Sequence, residues 1–225
     1  MVTRLPTLFL SHGGGPAFFM DPRSAGPFAQ MGKGSPACQF FASLGRMIPD
    51  EQIRAILIVS AHWEETEFTV TYHDGSQPPP LTYDYYGFPT EMYAPHMVYP
   101  ARTDLKVADR VIELLGTAGI PCRKDRKRGF DHGVFIPLKA SFEDARFPVI
   151  QLSLKTGGDG DVVPTYLINT HTQPCNTPCH AFLSHATPIS TSYPTSAIDT
   201  STQAWMSHLM YVWVRPCLLC VPRVY

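Results

Sequence analysis

Three short, largely apolar runs limit what this chain can fold into. Residues 5–10, 53–60 and 147–152 are each six to eight residues long and lack the alternation of a half-exposed strand. Runs of that kind fit strands buried on both faces, as in a parallel sheet covered by helices. The first leads into Ser11-His12-Gly13-Gly14-Gly15-Pro16 and the second into Ala61-His62-Trp63. In open α/β sheets, ligands and metals collect beyond the carboxyl ends of the strands. Two imidazoles at matching strand ends therefore predict two members of a metal site.

Helix signals alternate with these runs. Residues 35–46 predict a helix with Ser35 as N-cap and Pro36 at the first helical position. Residues 103–118 predict another, capped by Thr103 or Asp104, with Ala108, Val111, Ile112 and Leu115 as its apolar stripe. Residues 66–72 predict a strand rich in β-branched and aromatic residues, closed by the turn His73-Asp74-Gly75. The alternation predicts an α/β domain, a central sheet flanked by helices, in residues 1–160. Residues 77–100, rich in Pro and Tyr and without period, predict a functional lid or binding loop.

Composition changes abruptly after that domain. Every Lys, Arg, Asp and Glu precedes residue 161 except Asp161, Asp199, Arg215 and Arg223. Residues 161–225 hold 15 Ser or Thr and seven Pro, with no Lys and no Glu to coat a folded surface. The expectation is a low-charge, irregular tail that was not selected to pack with residues 1–160; intron read-through or a shifted reading frame would produce such a break. Its longest apolar run, 209–214, is stopped by Arg215 and Pro216, far short of a membrane span. The tail's Cys175-Asn176-Thr177-Pro178-Cys179-His180 and Cys217-Leu218-Leu219-Cys220 look like zinc half-sites, but without an ordered scaffold they are not expected to form one.

A formal net charge of -1 without a basic stripe argues against electrostatic nucleic-acid binding. Lys124, Arg126, Lys127 and Arg128 form a cluster broken by Asp125, which reads as a solvated loop. The six-residue N-terminal apolar stretch is too short for a signal-peptide core, so the chain is expected to be soluble and cytoplasmic, with reduced cysteines.

Three histidines could carry chemistry. The glycines after His12 allow close backbone approach to a ligand, or simply make a strand-to-helix turn. A phosphate cradle fits less well, because neither this loop nor Gly32-Lys33-Gly34-Ser35 has the Walker spacing. His62 reads as a metal ligand or as a ring packed under Trp63. His132, in Gly129-Phe130-Asp131-His132-Gly133, belongs either to an acid/base loop or to an Asx turn. His73 and His96 read as turn and loop residues.

Four words in one order carry a family resemblance: Ser11-His12-Gly13-Gly14-Gly15-Pro16, Ser60-Ala61-His62-Trp63, Tyr83-Asp84-Tyr85-Tyr86-Gly87-Phe88-Pro89, and Asp131-His132-Gly133 followed by Pro137-Leu138. From Pro6 to about Thr156 the chain resembles the class III extradiol ring-cleavage dioxygenases of the DOPA-dioxygenase, LigB-like type. The resemblance implies a LigB-like sheet, incomplete here, and a non-haem divalent metal, Fe(II) for catalysis or Zn(II) as bound. It further implies His12 and His62 as metal ligands, His132 as the catalytic residue that faces the substrate as a hydrogen-bonding or proton-transfer group, and Tyr86 and Asp131 as substrate-binding residues. The implied partners are a small aromatic diol and O₂, with no nucleic acid or membrane. After about Gly160 the chain departs from the family. The His-Asn segment that supplies a second active-site histidine and the later segment that supplies the third ligand have no counterpart. His171, His180, His185 and His208 receive no role, and activity is expected to be impaired. The alternatives are a zinc metallohydrolase, with His132 assisting a water nucleophile, and an inactive metal-binding protein.

Overall fold

The apolar runs become the sheet. The computed structural model describes residues 7–47, 53–156 and 209–215. In it the three runs form β1 (Thr7–Ser11), β2 (Ala55–Glu65) and β7 (Val149–Lys155). Three further strands, β3 (Phe68–Thr71), β5 (Cys122–Asp125) and β8 (Leu209–Arg215), complete the order β1-β8-β2-β7-β3-β5. Every neighbouring pair runs parallel except β3 and β7. The sheet is therefore mixed. Only Thr66 and Glu67 separate β2 from β3, and so short a connection reverses the chain, whereas a parallel return needs a long crossover.

Helices cover both faces. Residues α1 (Pro36–Met47) and α3 (His132–Ser141) pack over one face, and α2 (Leu105–Thr117) over the other. The predicted caps form. Ser35 Oγ accepts from the Cys38 amide at 3.1 Å, and the Asp104 carboxylate accepts from the amides of Lys106 and Val107. Val107, Ala108, Val111 and Leu115 of α2 are wholly buried against Leu57, Val70 and Leu152. Full burial of each Val or Leu contributes roughly 1.5–3 kcal/mol. On the opposite face Gly45 lets α1 close onto α3, because a Cβ there would lie 2.0 Å from the Ser141 carbonyl oxygen.

Two expectations change. Residues 77–100 do not hang over the domain as a lid. Tyr85, Met97 and Tyr99 are buried in the same core as α1 and α3, and β4 (Leu81–Thr82) pairs parallel with β6 (Phe130–Asp131). The tyrosines that deny this segment a period are the residues that anchor it. In the tail, Leu209–Arg215 is not irregular: β8 lies between β1 and β2, pairing Tyr211 with Thr7 and Leu209 with Ala55. Its apolar, β-branched sequence suits a strand with neighbours on both sides. The cysteine half-sites and His171, His180, His185 and His208 lie outside the described residues. Among those described, no helix is long and apolar enough to cross a membrane.

Candidate metal centre

His12 directly follows β1, and its residue is fully buried. The turn beyond it depends on glycine twice over. Gly13 has φ +69°, and a Cβ there would strike Met31; a Cβ on Gly14 would strike Phe28. His62 lies in β2 within the stretch where the register against β7 shifts, between Val59 and Glu64. Irregularities of this kind re-aim side chains beside functional sites. His132 is the first residue of α3, held next to β2 by Gly133, whose hypothetical Cβ would meet Ser60 Oγ and His62 Cδ2.

The three rings meet. His12 Nε2 lies 3.0 Å from His62 Nε2. Ring centroids are 5.1 Å apart for His12–His62, 4.8 Å for His12–His132 and 4.1 Å for His62–His132. One nitrogen from each ring falls within 4.8 Å of the others, and this is the group of His, Cys, Asp or Glu side chains suited to a metal among the described residues. His62 does not pack under Trp63. That indole is stacked by the Arg128 guanidinium, 4.8 Å from its ring, and bonds Glu65 through Nε1. Nor does Asp131 form an Asx turn, since its side chain makes no capping bond to α3.

Sequence reasoning missed the carboxylate that organises this cluster, Asp84. Its Oδ1 accepts from the His132 backbone amide at 2.9 Å and from His132 Nδ1 at 2.7 Å. Its Oδ2 lies 3.3 Å from His62 Nδ1. The β4–β6 pairing brings it there, setting Thr82 beside Asp131, one residue before His132. Asp84 sits inside the tyrosine-rich word noted above, but only this long-range pairing gives it a partner.

Asp131 belongs to a buried polar network beside the rings. It is fully buried, and its Oδ1 accepts from Ser60 Oγ at 2.7 Å. Its Oδ2 accepts from Gln151 Nε2 and, at 3.3 Å, from Arg128. Ser60 Oγ also accepts from the His62 amide at 3.2 Å, and Arg128 donates to the His62 carbonyl at 3.2 Å. Asp131 thus anchors the scaffold behind the histidines. Tyr86 is 87% exposed, whereas Tyr85 packs edge-on against His132 with centroids 5.5 Å apart. The neighbouring tyrosines thus face different surroundings, one in the core beside His132 and one toward solvent.

Electrostatics keep the rings ready to bind a cation. Burial, reinforced by His132 and His62, pushes His12 down to about 3, with Asp84 opposing. Burial and His132 also lower His62, against the pull of Asp131 and Asp84. Burial raises the Asp84 carboxyl, but its bonds to His132 and the charges of His132 and His62 outweigh that and hold it below the ordinary range. At neutral pH His12 and His62 are therefore uncharged, with lone pairs available to a metal. His12 Nδ1 is buried without a hydrogen-bond partner among the described residues. A set of neutral imidazoles beside an ionised carboxylate fits a divalent transition metal.

The histidine cluster and every described element except β8 lie within the segment that matches known proteins. Residues 6–161 match the family described as the catalytic LigB subunit of aromatic ring-opening dioxygenase, and the chain belongs to that family. It is 35% identical over 153 residues to 4,5-DOPA dioxygenase extradiol of Escherichia coli K12, covering 68% of this chain and 48% of that protein. It is 32% identical over 155 residues to 4,5-DOPA dioxygenase extradiol of Beta vulgaris, covering 68% and 52%. The chain thus spans about half the length of the curated relatives it matches. A solved structure of an uncharacterized protein from E. coli K12 shares the fold, with a TM-score of 0.51 and 24% identity over 94% of this chain and 59% of that one.

Proposed function

We propose that this chain is a non-haem, metal-dependent extradiol dioxygenase that opens the ring of a DOPA-like catechol with O₂. The observation that carries the proposal is the 3.0 Å approach of His12 Nε2 and His62 Nε2 within the family segment. Two nitrogens bound at about 2.1 Å to one ion span about that distance when they subtend a right angle. His12 and His62 would hold Fe(II), with Zn(II) able to occupy the same nitrogens. Fe(II), when bound, supplies Lewis acidity toward the diol oxygens and redox chemistry toward O₂.

The remaining work falls to the chain's own groups. Asp84 accepts a hydrogen bond from His132 Nδ1–H, which leaves His132 Nε2 as the nitrogen that takes a proton from the diol. Tyr85, rather than the exposed Tyr86, walls the ring side of the site against water. Ser60, Asp131 and Arg128 hold the His62 backbone from behind. On this reading the functional side chains all come from residues 1–160, and β8 completes the sheet that carries them. Without the family's later histidine-bearing segments, turnover is lower than in the longer relatives. Loss of one general base alone costs about 10²–10⁴ in rate.

Anaerobic loading with Fe(II), then DOPA and O₂, should yield a coloured ring-opened product that neither the apoprotein nor the Zn(II)-loaded chain forms. Stoichiometric Fe(II) binding with no product from any catechol would end the dioxygenase reading. Ester hydrolysis with Zn(II), indifferent to O₂, would replace it with the metallohydrolase.

A further inference from the structure

The three histidines differ in what lies behind them. A single carboxylate reaches the Nδ1 side of two: Asp84 Oδ1 is 2.7 Å from His132 Nδ1, and Oδ2 is 3.3 Å from His62 Nδ1. Behind His12, by contrast, Nδ1 is buried without a partner among the described residues. An ionised carboxylate only accepts, so a ring nitrogen facing it carries the hydrogen and the opposite nitrogen is left bare. The backbone amide of His132 also donates to Oδ1, at 2.9 Å, which fixes the carboxylate relative to α3. The parallel β4–β6 pairing fixes its backbone.

We propose that Asp84 is the positioning residue of this site. Its hydrogen bond locks His132 in the Nδ1–H tautomer, its 3.3 Å charge contact favours the same tautomer in His62, and so both Nε2 lone pairs are offered to the cluster together. His12 is left to the metal. In the metal-free chain, the 3.0 Å approach of His12 Nε2 to the bare His62 Nε2 needs a hydrogen between them, so His12 carries its proton on Nε2. Binding a cation moves that proton to Nδ1, while His62 and His132 keep the tautomer they already have. Two of the rings are set before binding and one is set by it. Carboxylate partners of metal-binding histidines typically contribute 10–100-fold to metal affinity. The metal half of this inference rests on the reading of the cluster as a metal centre; the tautomer half does not.

Long-range ¹H–¹⁵N correlation spectra of the full ¹⁵N-labelled chain at mildly alkaline pH separate the two. In metal-free wild type, His62 and His132 should be Nδ1–H and His12 Nε2–H; on adding Zn(II), only His12 should change. Asp84→Asn places a donating amide in the cradle. It should push at least one of His62 and His132 toward Nε2–H and weaken Zn(II) binding by about 10–100-fold in competition with a chromophoric chelator. An Nε2–H tautomer on His62 or His132 in the wild type overturns the proposal without any variant. So do unchanged tautomers in Asp84→Asn, or shifted tautomers with unchanged Zn(II) affinity. A wild type with the expected tautomers that binds no Zn(II) supports the positioning role of Asp84 and overturns the metal-centre reading alone.

Discussion

The two faces of the central sheet are built on different principles. Behind α2 the core is mostly aliphatic and regular: Leu57, Val59, Val70, Val111, Leu115, Ile150 and Leu152, with Phe68 and Tyr72 as its aromatics, form one layer from one helix and the strands beneath it. Across the sheet the core is aromatic and assembled from many pieces. Phe18, Phe41, Tyr85, Tyr99, Phe130, Phe135 and Phe142 come from turns, the 77–100 segment and two helices. The histidine cluster and its buried polar groups lie on this second face. Close-packed aliphatic layers tolerate no polar atoms, whereas large rings brought in by irregular backbone leave room to orient them. One face holds the sheet together, and the other aims side chains.

If that division is right, damage to the two faces should separate in the test tube. Leu115→Ala, on the aliphatic face, should cost the most stability, about 2–5 kcal/mol in chemical unfolding. Zn(II) affinity of the folded protein should be unaffected, and a parallel loss of affinity would break the comparison. Ser60→Ala removes the donor to the buried Asp131 and the acceptor for the His62 amide. It should cost less, about 1–3 kcal/mol, but should weaken Zn(II) binding, which isothermal titration would read.

Protons offer a third handle. His12 is depressed from 6.5 to about 3 in the folded chain, so between those values the unfolded state binds the extra proton. Stability of the metal-free protein therefore falls as pH drops through that window, by up to about 1.4 kcal/mol per pH unit for one proton. The lowered His62 adds in the same sense, and Asp84 adds its own loss below 3.8. His12→Phe should flatten the slope measured from urea midpoints across that range. The smallest effect belongs to Asp104→Ala, which uncaps α2 at a cost of about 1 kcal/mol and should leave both metal binding and the pH slope untouched.

The same division decides what could be read from the chain. The α2 face was legible because 3.6-residue periodicity, an Asp cap and a run of β-branched residues are local signals; even there Val107 was overlooked beside Val111 and Leu115. His12 and His62 were legible as strand-end residues, although β2 continues through His62 to Glu65. What could not be read depends on pairings distant in sequence. Asp84 gains its role only when Thr82 is laid beside Asp131, and the buried network around Asp131 forms only once Gln151 and Ser60 reach it. Tyr85 and Tyr86 are chemically alike, and only the backbone decides which one meets His132. The β8 strand went unforeseen because its surrounding composition suggested no partner, while the strands waiting for it lie near the opposite end of the chain.

That last pairing has a consequence for how the protein is made. On the ribosome, β1 and β2 emerge early, but in the finished sheet they do not touch; β8 stands between them and is the one strand hydrogen-bonded to β1 among those described. Until Leu209–Arg215 has been translated and threaded into that slot, the first strand lacks the sheet neighbour that sets it, and His12 after it, beside β2. Assembly of the centre therefore waits on a strand far downstream of β1 and β2, and the two strand edges it covers stay open to chaperones and to neighbouring nascent chains until it arrives.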